Sequence, residues 1–380
     1  MNYDALKDNL FLKDILAEPQ ALRQALSKLD LTRLEPLAGS LGRGEIDRVV
    51  LTGMGASYYA LYTAWLHLAA AGYPAIWVDC AELVHHMPAL IGTKTLVVIA
   101  SQSGRSAEIV ALLNLLDKQA TAGAPVAGLI AITNDSESPL AVAARKMLEA
   151  GNPSACPQGG DLLSLNTEPE MAVSTRTYLN TLAIVQLAAL ALGRHAPGSS
   201  DLQHHLTDLE RTIDGIGAYL ANWEERLKQI AAQVGAPGAQ PLVLVGRGLS
   251  FASASEGALN IEESAKLPAI GLQAAEFRHG PLEIAGSGLT ALVFAGEGSV
   301  RELNRKLWSE LREKGVNALW VEAAGENQPG EGVLPMPKAY GIGQPLAEIV
   351  PVQLLCIHLC LELGLTPGQF RYIEKVTTDL

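Results

Sequence analysis

Residues 95–116 read Thr95-Leu-Val-Val-Ile-Ala-Ser-Gln-Ser-Gly-Arg-Ser-Ala-Glu-Ile-Val-Ala-Leu-Leu-Asn-Leu-Leu116. The first six residues are apolar or β-branched, which predicts a buried strand. From residue 107 onward the apolar residues recur at the spacing of one helix face, so a helix is predicted there. Because a strand that turns directly into a helix is the repeating unit of α/β folds, this stretch predicts parallel strands covered by helices.

The turn between this strand and this helix has the composition of an anion site. A helix N-terminus offers free backbone N–H groups and a partial positive charge. Three hydroxyls and one amide side chain add donors, and a glycine lets the backbone approach a ligand closely. The residues are Ser101, Gln102, Ser103, Gly104 and Ser106. A serine is also a common N-cap residue, but capping one helix requires only one serine. Because the turn contains three, it is predicted to bind a phosphate.

Strand and helix patterns alternate along the rest of the chain. The predicted strands are 48–52, 75–78, 95–100, 127–133, 242–245, 289–294 and 318–321, and the predicted helices are 58–71, 106–117, 138–150, 174–192, 252–266 and 300–314. This alternation predicts an α/β protein with two doubly wound parallel sheets of flavodoxin-like type in tandem, joined by helical connections. The predicted domains are a helical arm (1–40), a first domain (41–200), a helical linker (201–238) and a second domain (239–380).

The two halves of the chain contain similar strand–turn–helix segments. Val49-Val-Leu-Thr-Gly-Met-Gly-Ala-Ser57 aligns with Leu242-Val-Leu-Val-Gly-Arg-Gly-Leu-Ser250. The later turn of the second half, Ala295-Gly-Glu-Gly-Ser-Val300, has lost hydroxyls and gained Glu297. Because a carboxylate repels a phosphate, we expect the first copy to bind and the second to support. Neither Gly-x-Gly continues to Gly-x-Gly-x-x-Gly, which argues against a dinucleotide cofactor.

Composition narrows the functional class. The chain has 380 residues, a net charge of −12, 48% apolar and 18% charged residues, and no run of Lys or Arg. These values are typical of a globular protein with two domains and argue against nucleic-acid binding. The four cysteines, Cys80, Cys156, Cys356 and Cys360, are predicted to be buried free thiols, with no metal site.

The chain is expected to be cytoplasmic and without a membrane segment. Its first residues have no basic-then-apolar signal. The longest apolar stretch, around residues 181–192, is too short to span a bilayer.

A polar stripe is predicted on the helix 252–266. Glu256, Asn260 and Glu263 fall at i, i+4 and i+7 and therefore share one face among small and apolar residues. A buried carboxylate needs either a hydrogen-bonding or charged partner or a functional role that explains its burial. The structural alternative to a functional role is an ion pair with Arg278 or Lys266.

Two further residues acquire a possible role only from their context. His279 lies in a predicted loop, where a histidine can deliver a proton to a sugar ring oxygen or simply pack against its neighbours. Lys375 lies near the C-terminus, where a solvated lysine is the ordinary state.

Six collinear segments resemble the double sugar-isomerase-domain (SIS) family over about residues 40–380. They are Gly53-Met-Gly-Ala-Ser57, Ser101-Gln-Ser-Gly-Arg-Ser106, Val173-Ser-Thr-Arg176, Glu256-Gly-Ala-Leu259 with Glu263, Glu276-Phe-Arg-His-Gly-Pro281 and Arg371-Tyr-Ile-Glu-Lys-Val376. One such segment is a weak signal, whereas six in order are specific. The resemblance is to the isomerase half of glucosamine-6-phosphate synthase and to amino-sugar-6-phosphate deaminases, and it implies tandem SIS-type domains and no cofactor.

The resemblance implies a role for each candidate residue. Glu263 is the base that moves a proton between C1 and C2 of the sugar. His279 opens the sugar ring from the neighbouring subunit of a homodimer, and Lys375 meets the carbonyl carbon as an imine or as a proton partner. The residues that hold the sugar phosphate are Ser57, Ser101, Gln102, Ser103 and Ser106, with Ser174 and Asn260 at the sugar.

The chain departs from the family pattern in three respects. Asn260 stands where the family usually has a lysine, so a positive charge beside the base is missing. Arg176 replaces a second lysine, which keeps the charge but changes its geometry. Residue 2 is Asn2 and the first 40 residues are too short for a glutaminase domain, so glutamine-dependent synthesis is not expected.

The leading hypothesis is a phosphosugar aldose–ketose isomerase that acts on a hexosamine 6-phosphate and releases its amino group. A first alternative is a deglycase that cleaves a fructosyl-amine 6-phosphate by the same imine chemistry. A second alternative, favoured by Asn260, is a non-catalytic regulatory protein that binds phosphosugars.

Overall fold

The structure is a computed structural model that describes residues 4–149, 156–170, 172–195, 201–234, 241–323 and 330–378. The chain forms two compact units. The first unit comprises Ala21–Pro169, Thr177–His205 and Ile373–Leu380, and the second comprises Met1–Gln20, Glu170–Arg176 and Leu206–Tyr372. The units interleave along the chain, and the domain boundaries given above stay predictions.

Each unit is built on one parallel sheet. The strands are β1 (Arg48–Gly53), β2 (Ala75–Asp79), β3 (Thr95–Ala100), β4 (Gly128–Thr133), β5 (Gly160–Ser164), β6 (Leu242–Gly246), β7 (Ala269–Gln273), β8 (Thr290–Phe294), β9 (Asn317–Ala323) and β10 (Val333–Met336). Their order is β2-β1-β3-β4-β5 in the first sheet and β10-β9-β8-β6-β7 in the second. The two orders are the same when one is read backwards, which confirms two doubly wound sheets in tandem.

Helices connect the strands. In chain order they are α1 (Leu10–Leu16), α2 (Glu18–Lys28), α3 (Glu35–Gly42), α4 (Gly55–Ala70), α5 (Cys80–His85), α6 (Ala107–Thr121), α7 (Pro139–Leu148), α8 (Arg176–Leu192), α9 (Leu202–Leu220), α10 (Trp223–Val234), α11 (Ser250–Ala265), α12 (Ala274–Phe277), α13 (Gly298–Glu313) and α14 (Gln344–Glu362). Three strands, β5, β7 and β10, had not been predicted.

The first sheet is buried on both faces, as a doubly wound sheet requires. All six residues of β3 are buried. Leu96 and Val98 pack in one apolar cluster with Leu61 of α4, whereas Val97 packs in a second cluster with Ile109 of α6. Because successive strand residues point to opposite faces, these two clusters cover the two faces of the sheet.

The four cysteines are free and buried, which confirms the prediction of buried free thiols. Burial raises the pKa of the Cys80 thiol to about 12 and that of Cys156 to about 11. Thiols held so strongly in the neutral form are poor nucleophiles, so none of these cysteines is a candidate catalytic group.

The most apolar long helix lies in the second unit. Residues Gly341–Glu362 are 22 in number with a mean hydropathy of 1.5, long and apolar enough to cross a membrane, and 94% of the most apolar window is buried inside the protein. Such burial is what the core helix of a folded domain shows. The prediction that 181–192 is the longest apolar stretch is therefore wrong. The longer stretch is interrupted in the sequence by Pro345, Glu348 and Pro351, which weaken its apolar pattern.

The stability of the protein is expected to depend on pH, because a carboxyl group is buried in the second unit. Burial raises the pKa of Glu348 to about 7, although side-chain donors oppose the shift. A carboxyl group whose pKa is raised on folding stabilises the protein below the unfolded value, near 4.5, and this stabilisation is lost as the pH rises through 7. Between about pH 5.5 and about pH 8 the free energy of unfolding should fall by on the order of 2 kcal/mol from this group.

Urea unfolding at the two pH values checks this expectation. Glu348→Gln should remove this part of the pH dependence, because the neutral amide does not titrate. Glu362→Gln, at the exposed end of the same helix, is the matched control and should keep it. An identical pH dependence in wild type and Glu348→Gln would contradict the assignment.

Candidate active site

Two loops of the first unit meet at the carboxyl end of its sheet. Gly53, the last residue of β1, is paired with Ala100, the last residue of β3. From β1 the chain continues to β2 on one side, and β3 lies on the other side. Such a change of direction leaves a crevice beyond the strand ends, where α/β proteins bind ligands.

The N-termini of α4 and α6 open at this crevice. The residues that precede them, Met54 and Ser106, make no capping hydrogen bond with their side chains in the described part of the chain. Ser106 therefore occupies the N-cap position without using its hydroxyl as a cap. Helix N-termini whose N–H groups lack side-chain acceptors favour an anion, which supports the phosphate prediction over the capping alternative.

The serine-rich turn, residues 101–106, presents its hydroxyls in a fixed geometry. The Ser101 hydroxyl accepts the backbone N–H of Gly104 at 3.1 Å, and the Ser103 hydroxyl accepts that of Arg105 at 3.2 Å. Because each hydroxyl oxygen is used as an acceptor, its own proton remains available to a ligand. Ser101 is buried, whereas Ser103 and Ser106 are half-buried.

Neighbouring segments brace this turn. The Gln102 carbonyl oxygen accepts the backbone N–H of Asn134 at 3.0 Å and the Thr133 hydroxyl at 3.1 Å. The Arg105 guanidinium donates twice to Asp135, at 2.6 and 3.0 Å. The arginine is thus held by a carboxylate, and the donors left for an anion are hydroxyls, amides and backbone N–H groups. Ser57, in the first turn of α4, is half-buried.

Gly104→Ala is expected to disrupt the turn. Gly104 has φ +61, and an added Cβ would lie 2.4 Å from the Ser138 hydroxyl oxygen. Ser138 cannot yield easily, because it accepts the Ala141 N–H and donates to the Asp135 carbonyl oxygen. The left-handed backbone alone costs an alanine about 1 kcal/mol, and the clash should add on the order of 1–3 kcal/mol.

Gly123→Ala is the matched control for this substitution. Gly123 has φ +81 with nothing within 4 Å of an added Cβ, so it should show the backbone cost alone. Urea unfolding measures the stability of both variants, and calorimetric titration measures their affinity for a phosphosugar. Equal stability losses and equal affinities in the two variants would show that the turn tolerates the clash.

The C-terminal tail lies against the same turn. The backbone N–H of Ala107, the first residue of α6, donates to the Thr377 carbonyl oxygen at 3.2 Å. Lys375 is half-buried and lies two residues before Thr377, within about 7 Å along the backbone. The first unit therefore places Ser57, the serine-rich turn and Lys375 in one neighbourhood.

Helix α11 of the second unit carries the predicted polar stripe. Glu256 and Asn260 are fully buried, and the Asn260 amide donates to the Glu256 carboxyl at 2.8 Å. Burial raises the pKa of Glu256 well above its usual value, and the charge of Glu263 adds to this shift. Glu263 is half-buried and is the more accessible carboxylate of the stripe.

The structural alternative, an ion pair with Arg278 or Lys266, is not formed by Glu256. Arg278 pairs with Glu310 at 2.5 Å. Lys266 donates to the backbone carbonyl oxygens of Glu263 and Gln369. Neither cation forms an ion pair with Glu256 in the described residues, so this buried carboxyl group is partnered by the Asn260 amide.

The segment Glu170–Arg176 also belongs to the second unit. Both the backbone N–H and the hydroxyl of Thr175 donate to the Glu170 carboxylate, at 3.1 and 3.0 Å. Arg176 donates to Asp14 of α1 at 2.6 Å. These bonds fix the backbone on both sides of the half-buried Ser174. Glu170 was missed by the sequence analysis, yet its charge also raises the pKa of Glu256.

His279 lies in the turn after α12. Its side chain is exposed, and its backbone N–H donates to the Glu276 carbonyl oxygen at 2.9 Å. The second unit thus contains Ser174, Asn260, Glu263 and His279. Across the described residues, no three His, Cys, Asp or Glu side chains are grouped so that they could hold a metal ion.

Comparison with known proteins identifies related sequences. The family model described as "SIS domain" matches residues 45–191 and 238–362. The glutamine–fructose-6-phosphate aminotransferase (isomerizing) of Pyrococcus horikoshii is 26% identical over 378 residues, which cover 98% of this chain and 58% of that protein. The chain therefore spans somewhat more than half the length of this relative.

Solved structures share the fold over nearly the whole chain. The tagatose-6-phosphate ketose/aldose isomerase of Escherichia coli has a TM-score of 0.74 and 21% identity, covering 97% of this chain and 98% of that one. The glucosamine-6-phosphate deaminase of Thermotoga maritima has a TM-score of 0.68 and 18% identity, covering 97% and 99%. At these identities the similarity establishes the architecture.

Proposed function

The chain belongs to the SIS domain family, and from this membership we propose that it is an enzyme that converts a hexosamine 6-phosphate to a ketose 6-phosphate with release of ammonia. The observation that carries the proposal is the crevice of the first sheet, where two helix N-termini without side-chain caps meet a turn rich in hydroxyls. The names of the solved relatives, a deaminase and a ketose/aldose isomerase of 6-phosphate sugars, agree with this chemistry.

In the proposed mechanism the protein binds the substrate mainly through its phosphate group. Ser57, Ser103 and Ser106 donate hydroxyl protons to it, with Ser101 and Gln102 behind them. Binding energy from this non-reacting end orients the sugar carbons that react. His279, on its exposed turn, assists ring opening from the partner subunit of a homodimer.

Proton transfer follows ring opening. Glu263 removes the proton from C2 and returns it to C1, which converts the aldose amine to a ketose imine. Water then hydrolyses this imine, so that glucosamine 6-phosphate and water give fructose 6-phosphate and ammonia. Lys375, which lies beside the serine-rich turn, acts at the carbonyl carbon as an imine or as a proton partner. Ser174 and Asn260 complete the sugar contacts.

A panel of hexosamine 6-phosphates tests the proposal, with ammonia and ketose 6-phosphate measured together. The proposal expects both products in equal amounts from at least one epimer. Ketose formation without ammonia indicates an isomerase alone. Turnover of only a fructosyl-amine 6-phosphate indicates the deglycase alternative.

A non-catalytic regulatory protein is the second candidate function. The pairing of Asn260 with Glu256 favours it, because the residue that bonds to this carboxyl group is a neutral amide. If no sugar is turned over while phosphosugars still raise the melting temperature, the regulatory alternative holds. Light scattering tests the proposed homodimer, and the free buried thiols support the proposed cytoplasmic location.

A further inference from the structure

The second unit contains a crevice that corresponds to the phosphate crevice of the first. Strand β6 leads through Gly246-Arg-Gly-Leu-Ser250 into α11, and the neighbouring β8 leads through residues 295–297 into α13. β6 lies between β7 and β8, so the direction of winding changes at the same place as in the first sheet. Ser250 is the counterpart of Ser57.

A carboxyl group of the protein fills this second crevice. Glu348 of α14 is fully buried. Its Oε1 accepts the Ser250 hydroxyl at 2.8 Å and the Gln344 amide at 2.9 Å. Its Oε2 accepts the Ser253 hydroxyl at 2.9 Å. Two hydroxyls from the first turn of a helix therefore donate to a carboxyl group here, as hydroxyls are proposed to donate to a phosphate in the first unit.

The second loop closes around the same point. A Cβ added to Gly296 would lie 4.0 Å from the Ser250 hydroxyl oxygen, so both loops converge on Ser250. Arg247, the cation of the first loop, donates to Asn304 at 3.0 Å. Glu297, exposed at the start of α13, is close enough for its charge to act on Glu348. A free anion that entered would meet two carboxyl groups.

We propose that Glu348 is a built-in occupant of the second anion crevice, which restricts each chain to one external phosphate, and that removing its side chain opens a site for inorganic phosphate. This inference goes beyond the proposed reaction, and only the number of one external phosphate rests on the phosphate site proposed for the first unit. It explains why one copy of the duplicated architecture keeps a serine-rich turn while the other is sealed from the opposite side by α14.

Glu348→Ala tests the proposal, with Glu348→Gln as the matched control. The alanine variant empties the crevice, whereas glutamine keeps it filled with a neutral group of the same shape. Melting temperatures are compared in sodium phosphate and in sodium chloride of equal ionic strength. Phosphate should raise the melting temperature of Glu348→Ala by about 3 °C or more beyond its effect on wild type and on Glu348→Gln.

The comparison of melting temperatures is independent of the first crevice. That crevice is intact in all three proteins, so phosphate bound there raises their melting temperatures equally. An equal effect of phosphate on the three proteins overturns the proposal. If Glu348→Ala folds only in phosphate, the proposal is supported. If it folds in neither buffer while Glu348→Gln folds in both, phosphate does not replace the carboxyl group and the proposal is rejected. A crystal of the wild type with phosphate bound to Ser250 also overturns it.

Discussion

Glu263→Gln is expected to lower kcat for a hexosamine 6-phosphate by on the order of 10³-fold. Glutamine preserves the shape and polarity of the side chain but cannot take the C2 proton. Because serine hydroxyls hold the phosphate end of the substrate in the proposed mechanism, the dissociation constant should change by less than about threefold. Steady-state kinetics and calorimetric titration measure the two quantities separately.

Glu262→Gln is the control for this substitution. Glu262 is the preceding residue of α11, is exposed and accepts a backbone hydrogen bond from Ala269. It should retain nearly wild-type kcat, because it lies outside the polar stripe. If Glu263→Gln turns substrate over as fast as Glu262→Gln does, Glu263 is not the base.

The double substitution Ser103→Ala with Ser106→Ala should act on binding instead. Each hydroxyl lost from a charged phosphate costs about 1.5–3 kcal/mol, so KM should rise by about 100-fold or more. The fold should survive, because among the described residues the Ser106 side chain makes no capping bond and the Ser103 hydroxyl accepts only the nearby Arg105 N–H at 3.2 Å. Kinetics at varied substrate concentration, with calorimetric titration of a phosphosugar, measure the effect.

Ser27→Ala is a serine control in the same unit. Ser27 is exposed on α2 and donates to the Gln24 carbonyl oxygen of its own helix, so its loss should leave KM unchanged. Unchanged affinity in the double variant would remove the phosphate assignment from the serine-rich turn.

The interior strands of both sheets were predictable from sequence, whereas most edge strands were not. Strands β3 and β4 are continuous apolar runs buried along their whole length. The missed strands β5, β7 and β10 are all sheet edges. An edge strand is covered by fewer neighbours and tolerates glycine and proline. Examples are Gly271 in β7 and Pro335 in β10. Their patterns are therefore too weak to stand out.

The local parts of the candidate site were also predictable, because they depend on residues close in sequence. Helix α6 was predicted to begin at Ser106 and begins at Ala107. The contact of Thr377 with Ala107 and the contact of Glu348 with Ser250 join residues that are far apart along the chain. No local pattern encodes such contacts, since they arise only when the sheet has brought its loops together.

For the polar stripe of α11, the residue spacing predicts the position of the side chains but not their interactions. The spacing correctly placed Glu256, Asn260 and Glu263 on one helix. It could not distinguish an ion pair from a buried neutral carboxyl group, because that outcome depends on where Lys266 and Arg278 point. Arg278 pairs with Glu310 and Lys266 donates to the Glu263 carbonyl oxygen, while burial raises the pKa of Glu256.

A crystal structure of the protein soaked with glucosamine 6-phosphate tests the central claim most directly. The account predicts that the phosphate group lies at the carboxyl end of the first sheet, within hydrogen-bond distance of the Ser103 and Ser106 hydroxyls. Phosphate density at any other place, with these hydroxyls left in contact with solvent, would contradict it.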